Sequence, residues 1–471
     1  MDEIKADLVV VGAGSGGLSV ASGAAQLGLR VVLFEAGEMG GDCLNYGCVP
    51  SKALIAAAHA ARPPLGLGIG ATATVNFPAV MAHVRAAMAA IAPHDSQEHF
   101  EKIGVRVVRQ HASFAGPRVV EGEDIRVRAR KIVLATGSRP KIPDVAGLAE
   151  TPYFTNETIF DLTSCPQRLL IIGGGPIGME LGQAFRRLGA EVAIVQRTQP
   201  LPREGRDVVE VVMRQFARDG VEVLAGTQIL SAHRGSRGLA LRIKTGERTR
   251  DIEGSHLLVA TGRSPNIEAL NLEAGGVAYD RRGVRTDRSL RSISNGAVYA
   301  VGDVAGRDAF THAAGAHASL VIRRALFAMP VNADNLVVPR VTYTDPEVAS
   351  VGLSEGRARR RYGDRVRTVV ARFDDNDRAV TEADQRGFGK LIATRGGKLL
   401  GVTIVGRAAG DLIQPWVLAM SASVPLRAMA AQVAPYPTRG EINKRLAGLW
   451  FAPSLFSSRT RALVRALKRL A

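Results

Sequence analysis

Residues 7–35 read DLVVVGAGSGGLSVASGAAQLGLRVVLFE: an apolar run from Asp7 to Val11, glycines at Gly12, Gly14 and Gly17, an alanine-rich stretch, and a second apolar run ending at Glu35. That order predicts a buried strand, a tight turn, a helix and a second strand. Glycines at this spacing let the backbone turn sharply and approach a pyrophosphate, whose charge the start of the helix stabilises. A carboxylate about 20 residues further on, here Glu35, is placed to accept from a ribose hydroxyl. The construction returns at residues 169–195 as LLIIGGGPIGMELGQAFRRLGAEVAIV, with Gly173, Gly175 and Gly178. Two copies predict two bound dinucleotides.

The second copy differs where its last strand ends. Gln196 and Arg197 stand there instead of an acid, and Arg203 follows. An acid favours the free 2′-hydroxyl of NAD, whereas arginine favours the 2′-phosphate of NADP. NADP is therefore the expected coenzyme, with NAD possible because Gln196 alone tolerates either and Arg203 is equally readable as a surface residue. Three further strand-then-glycine stretches punctuate the chain: KIVLATGSRP with Thr136 and Gly137, HLLVATGRSPN with Gly262, and AVYAVGDVAG with Gly302 and Asp303. The Asp303 carboxylate is placed to accept from a polyol hydroxyl, or else forms an ordinary turn.

At 471 residues the chain has length for two to four domains, and 46% hydrophobic against 22% charged residues describes a globular one. MDEIKADLVVVGAG runs straight into a strand, without a basic leader or a cleavage signal, so a cytoplasmic location is expected. No uninterrupted run of about 18 apolar residues occurs to span a bilayer. The net charge of +17 is carried by scattered arginines with no nucleic-acid-binding motif beside them, so a nucleic-acid partner is not expected.

Two of only three cysteines lie in GGDCLNYGCVPSK, at Cys43 and Cys48. An ideal helix would hold them too far apart, and on different faces, for the Cα spacing of a disulfide, so a bond between them needs a local distortion, which Gly47 permits. Paired cysteines in a reducing compartment are more often redox-active or metal-binding than structural. No second cysteine pair is present to complete a zinc site, and no metal ligands are assigned. Two unrelated buried thiols remain the alternative. Cys165 has no partner in sequence and reads as a structural or surface thiol.

Taken together these stretches resemble the pyridine nucleotide-disulfide oxidoreductases of the dihydrolipoamide dehydrogenase, glutathione reductase and mercuric reductase group, over nearly the whole chain up to about residue 447. The fold implied is α/β, with two Rossmann-like dinucleotide-binding domains plus a C-terminal α+β dimerisation domain. The expected boundaries are 1–150 for the first part of an FAD-binding domain, 151–266 for an NAD(P)-binding domain, 267–335 for the second part of the FAD domain, and 336–447 for the dimerisation domain. Residues 448–471 form a basic amphipathic tail.

The resemblance implies FAD on Gly12, Gly14, Gly17, Glu35 and Gly41, with Asp303 on the ribitol side. It further implies a redox-active Cys43–Cys48 disulfide, with Cys48 as the thiolate against the flavin and Cys43 as the interchange thiol. Lys52 takes the position of a lysine near the flavin, paired with Glu180, which is otherwise a plain helix-surface acid. From Pro339, PRVTYTDPEVASVGLSE matches the start of the dimerisation domain, where one subunit's C-terminal segment completes the other's active site. A homodimer is the expected partner arrangement.

The chain departs from that pattern in three places. In VAPYPTRGE, Tyr436 occupies the place of the family's histidine base, with Glu441 where the orienting acid belongs. Tyrosine, with a pKa of about 10, is a poor base at neutral pH, so reduction of lipoamide or glutathione disulfide is expected to be slow or absent. Mercuric reductases carry tyrosine in a similar place but deliver metal through a further C-terminal cysteine pair, and no cysteine follows Cys165 here. Asp42 replaces the usual threonine before the first cysteine. Flavin phosphates would repel it, so it is expected to turn toward hydroxyls or backbone amides.

The resulting expectation is an enzyme, mercuric reductase-like or dihydrolipoamide dehydrogenase-like, that passes hydride from a nicotinamide through FAD to the cysteine pair and on to an unidentified acceptor: a small molecule such as a quinone, a metal ion or a protein disulfide. The alternative is a flavin-bearing redox sensor, or a membrane-associated electron-transfer protein with little turnover. In the tail, Leu463, Val464, Leu467 and Leu470 fall on one helical face. Arg459, Arg461, Arg465, Lys468 and Arg469 supply charge. With Trp450, Phe451 and Phe456 they predict either a peripheral contact with the inner face of an anionic membrane or a helix packed along a dimer.

Overall fold

The computed structural model describes residues 2–62 and 74–468. The chain divides into two compact units: one holds residues 1–60, 75–198 and 223–336, and the other holds 61–74, 199–222 and 337–471. Arg469 and Leu470, named above for the tail, lie outside the described residues.

The first unit is built around two mainly parallel sheets, with a three-stranded antiparallel sheet over residues 227–254 and two short strand pairs beside them. In the larger, the order is Val105–Val108, Val31–Phe34, Asp2–Val11, Ile125–Leu134, Val119–Glu121 and Ser113–Gly116, with Val298–Ala300 also paired to Ile125–Leu134. The strands around Asp2–Val11 are parallel, and their inner residues are covered on both faces, so they read as unbroken apolar runs. Register fixes where these strands end. Val11 pairs with both Phe34 and Leu134, and Ala300 pairs with Leu134. Four strands therefore end level, and the residues after them, Gly12, Glu35, Ala135 and Val301, emerge at one sheet edge.

The smaller sheet repeats the arrangement. Arg168–Ile172 lies between Glu191–Gln196 and His256–Val259, both parallel to it, with Ile172 opposite Val195 and Val259. Gly173, Gln196 and Ala260 thus share an edge. Helix Ser15–Gln26 buries Gly16, Gly17, Leu18, Ala21 and Ala24, and a Cβ added at Gly16 would stand 3.3 Å from the Ala314 side chain of helix Thr311–Ala325. Such close helix packing is what the alanine and glycine content of both segments permits.

The second unit centres on a five-stranded antiparallel sheet, ordered Arg340–Thr342, Glu347–Gly352, Leu399–Gly406, Phe388–Thr394 and Val366–Arg372. Its core gathers Phe373, Trp416, Leu446 and Trp450. Trp450 is 5% exposed, and the Arg367 guanidinium lies 4.6 Å from its ring centre. This corrects the expected anchor set: Trp450 on helix Glu441–Leu455 is part of the core and is not available to a membrane. The last helix, Ser458–Lys468, buries nothing, and Leu463, Val464 and Leu467 are exposed on it. Among the described residues no helix is long and apolar enough to cross a membrane.

Candidate functional site

The two glycine loops are close copies in space as well as in sequence. A Cβ built on Gly17 would meet the Gly12 carbonyl oxygen at 1.8 Å, and one on Gly178 would meet Gly173 O at 1.9 Å. The helix can approach its strand only if those residues are glycine. Gly12 itself has φ +104°, in the left-handed region, and its absent Cβ would lie 2.4 Å from Ala135 O.

Between those packed glycines the middle ones are open. Among the described residues nothing lies within 4 Å of a Cβ on Gly175, and one on Gly14 would meet only the Gly41 Cα, at 3.9 Å. Neither Gly14 nor Gly175 provides a side-chain cap for its helix. Each helix therefore presents first-turn N–H groups and the positive end of its dipole, uncovered by its own cap, beside an open backbone. A pyrophosphate fits that arrangement twice.

At the level strand ends the polar residues are already organised. Glu35 accepts from the N–H of Ala13 at 2.6 Å and of Gly37 at 2.7 Å. Each carboxylate oxygen retains acceptor capacity for a ribose hydroxyl. In the second copy Gln196 takes the corresponding bond, accepting from Gly174 N–H at 2.8 Å, while its amide donates to Thr198 Oγ1. The amide replaces the acid's structural role without its charge. Arg197 is exposed beside it, and Arg203, also exposed, falls in the other unit.

The strands Ser138–Pro140 and Arg263–Pro265 pair antiparallel, joining the turns at Gly137 and Gly262. Thr136 Oγ1 donates to Asn266 O at 2.6 Å, and Asn266 Nδ2 returns a bond to Thr136 O at 2.9 Å. Asp303, just after Gly302, accepts from Ser138 Oγ. Gly302 N–H donates to Nδ1 of His317, which is 2% exposed and held below the usual imidazole range by burial.

The cysteine segment resolves the helical-spacing problem by breaking. A short helix, Gly41–Asn45, carries Cys43, and a new helix begins at Cys48 and runs to Ala60, with Tyr46 and Gly47 between them. Both thiols are free and hydrogen-bonded to each other. The bond from Cys43 is the main reason that Cys48 is lowered to about 6. Burial opposes it, while Thr311 Oγ1 at 3.3 Å and the charge of Lys52 assist it. Cys43 is held well above the ordinary thiol range, first by that bond and then by burial. Cys48 also occupies the first turn of a 13-residue helix, where a thiolate is favoured.

Lys52 Nζ reaches Glu180 Oε2 at 2.5 Å. Glu180 is 6% exposed, so it is a buried counter-charge and not a helix-surface acid. Cys165 donates to Leu188 O at 3.6 Å and is raised by burial.

Tyr436 lies in the second unit and is 71% exposed. Its hydroxyl donates to Asp377 Oδ2 at 2.9 Å, and that bond raises the phenol further above its ordinary value. Glu441 instead accepts from Thr438 N–H at 3.3 Å, within the first turn of helix Glu441–Leu455. The acid that holds Tyr436 is thus Asp377 and not Glu441, a pairing that sequence spacing does not reveal. Asp42 also behaves differently from expectation: it accepts from Arg263 Nη2 at 2.9 Å and Asn156 Nδ2 at 3.2 Å, not from hydroxyls or backbone amides. Arg263 directly follows Gly262, and that adjacency was the available signal for it.

Comparison with known proteins gives a consistent picture. A family profile described as pyridine nucleotide-disulphide oxidoreductase matches residues 6–318, and one for the dimerisation domain of the same proteins matches residues 338–447. A mercuric reductase from Streptomyces lividans is 34% identical over 450 residues, covering 93% of this chain and 94% of the relative. Dihydrolipoyl dehydrogenase 3 from Pseudomonas aeruginosa is 34% identical over 468 residues, covering 94% of this chain and 97% of the relative. Among solved structures, LpdA from Mycobacterium tuberculosis superposes with TM-score 0.85 at 25% identity, covering 95% of this chain and 99% of LpdA. The HOCl-induced flavoprotein disulfide reductase RclA from Escherichia coli superposes with TM-score 0.84 at 24% identity, covering 94% and 99%, a likeness of fold.

Proposed function

The chain belongs to the pyridine nucleotide-disulphide oxidoreductases, and from that premise we propose that it is an NADPH-preferring homodimer that reduces an acceptor needing no histidine base. Members of this family are FAD-dependent and use NAD(P)H, and this chain is an enzyme of that kind. Its relatives carry names of reductases and dehydrogenases, which does not favour a sensor with little turnover.

The residues fit the cofactor. The open backbone at Gly14, the bare start of helix Ser15–Gln26 and the poised Glu35 suit the FAD pyrophosphate and ribose. Asp303 and Gly302 stand at the same sheet edge. Held by Gly14, the start of helix Ser15–Gln26 and Glu35, FAD would supply two-electron transfer between a nicotinamide and the sulfur pair. The chain's own residues do the rest. Lys52, held by Glu180, keeps a positive charge near Cys48. Cys48 holds the negative sulfur, and Cys43 keeps its proton until an acceptor arrives.

One observation carries the reading of the acceptor: Tyr436 is a neutral phenol whose proton is committed to Asp377. It cannot take a proton from a thiol near neutral pH as histidine does. Metal ions and quinones accept electrons without that service, so they lead the candidates, ahead of a protein disulfide and lipoamide. The missing acid at Gln196, with Arg197 beside it, supports NADPH over NADH. The match to a dimerisation domain supports the homodimer. Peripheral membrane contact rests only on the exposed Leu463, Val464 and Leu467 with the cations of the last helix, and pelleting of full-length and 457-residue protein with anionic vesicles tests it.

Anaerobic titration of the purified protein with NADPH and with NADH, followed by a panel of metal ions, quinones and disulfides, tests the whole assignment. NADPH is expected to bleach the flavin at lower concentration than NADH, and metal or quinone turnover is expected to exceed lipoamide turnover. Equal response to both coenzymes, or lipoamide as the fastest acceptor, refutes the corresponding part.

A further inference from the structure

Asp42 stands immediately before Cys43, and its carboxylate is built into a charged chain that runs away from the sulfur pair. Arg263 is fixed from several directions: Nε donates to Ser138 Oγ at 2.7 Å, Nη2 to Ser138 O at 2.6 Å and to Asp42 Oδ1 at 2.9 Å, and Nη1 to Asn156 Oδ1 at 3.3 Å. Asn156 closes the ring by donating to Asp42 Oδ1 at 3.2 Å and to Tyr46 O at 3.2 Å. At the far end Arg263 Nε lies 3.9 Å from Asp303 Oδ2, which already holds Ser138. One guanidinium thus serves two carboxylates, one beside the redox cysteines and one at the dinucleotide edge.

The other oxygen of Asp42 lies beside Gly47, the residue between the two cysteines that directly precedes Cys48. A Cβ built on Gly47 would stand 2.9 Å from Asp42 Oδ2, so the carboxylate packs close to that backbone only because residue 47 is glycine. The groups that act on Cys48 are Cys43 and Asp42 from the first short helix, Lys52 from its own helix, and the Thr311 hydroxyl from helix Thr311–Ala325. Among these, Asp42 opposes a negative sulfur, and the nearby Arg263 partly neutralises Asp42. Resistance to thiolate has a redox consequence: a dithiol whose reduced form is less stabilised gives up its electrons more readily.

We propose that Asp42, clamped and partly screened by Arg263, is a positioning residue that limits the Cys48 thiolate and makes the reduced cysteine pair a stronger electron donor than a neutral residue at 42 would. The proposal rests on the reading of Cys43 and Cys48 as a cycling redox pair. Its equilibrium can be written with glutathione: enzyme disulfide plus two glutathione thiols gives enzyme dithiol plus glutathione disulfide.

The test uses the flavin-loaded parent and the variants Asp42→Asn and Arg263→Gln. Two quantities are measured: the pH midpoint for iodoacetamide alkylation of reduced Cys48, located by peptide mass spectrometry, and the dithiol-to-disulfide ratio in glutathione buffers. Asp42→Asn should lower the midpoint, raise alkylation below that midpoint by roughly three- to tenfold, and shift the buffer ratio toward dithiol by a similar factor. Arg263→Gln unscreens Asp42 and should move both quantities the opposite way.

A pair that merely braces the loop would give shifts of one sign in both variants, and that result, or no shift, overturns the proposal. If Arg263→Gln does not fold, Arg263→Lys keeps the charge and should leave the midpoint near the parent's, and a shift matching that of Asp42→Asn overturns the proposal as well. A parent that never forms the disulfide removes the redox reading itself. A cycling parent with unmoved variants removes only the role of Asp42.

Discussion

Replacing Cys43 by alanine tests the origin of the Cys48 thiolate. The bond from the Cys43 thiol is the largest influence holding Cys48 at about 6, and burial works against it. A hydrogen bond to a charged group contributes about 1.5–3 kcal/mol, and 1.36 kcal/mol corresponds to one pKa unit. Losing it should move the Cys48 midpoint up by about one to two units. At pH 7 the thiolate would fall from roughly nine molecules in ten to between roughly half and one in ten.

Lys52, the Thr311 hydroxyl and the start of helix Cys48–Ala60 remain in the variant, so the midpoint should stay below that of an ordinary buried thiol. The assay is a pH titration of the long-wavelength thiolate-to-flavin absorbance, with the alkylation rate of Cys48 measured in parallel. The parent's cysteine pair must be reduced with the flavin left oxidised before comparison, because a disulfide carries no thiolate and a reduced flavin gives no charge-transfer band. Because the value in the folded chain lies below the ordinary thiol value, the thiolate adds stability to the reduced protein. That contribution is complete above the ordinary thiol range and is lost as pH falls through about 6. A variant midpoint equal to the parent's refutes the reasoning, since it would mean that Lys52 and the helix terminus set the thiolate without Cys43.

Tyr436→His should raise reduction of a small disulfide acceptor about tenfold or more by restoring a base, measured as NADPH oxidation with lipoamide, and no gain removes the explanation from the missing histidine. Gly178→Ala forces a methyl group against Gly173 O, where it would stand at 1.9 Å. It should abolish flavin bleaching by NADPH at concentrations that saturate the parent while flavin content stays normal, and loss of flavin instead would show that the two loops are not independent. Asp384 is 1% exposed and accepts two bonds from Arg386 at 2.6 and 2.7 Å. Burial opposes its charge, but Arg386 holds it below the usual carboxylate range. Its stabilisation is therefore present above that range and fades as pH falls through the lowered value. Asp384→Asn should cost about 3–5 kcal/mol in urea unfolding at pH 7 and flatten the acid side of the stability profile, and an unchanged profile contradicts this.

Much of the molecule was readable from local pattern. Each glycine loop occupies one short contiguous stretch, and its geometry is set by which residues lack a Cβ, so both loops were located before any long-range contact was known. The same holds for Cys43 and Cys48, whose spacing required a break that the structure makes at Tyr46 and Gly47. Sheet register then had to bring these loops level, and only the paired strands show Val11, Phe34, Leu134 and Ala300 ending together.

What linear order conceals is who meets whom. Asp42 and Arg263 are 221 residues apart, and Tyr436 and Asp377 are 59 apart, so no helical or strand period links either pair. Glu441 looked like the partner of Tyr436 because it is near in sequence, yet the turn before its helix directs it to Thr438 N–H. Trp450 looked like part of an exposed tail, yet its helix packs it into the core of the second unit. Residue type and short spacing dictate which chemistry a segment can support. The counter-ion that tunes it is selected by chain crossings, whose geometry emerges only once the sheets have closed.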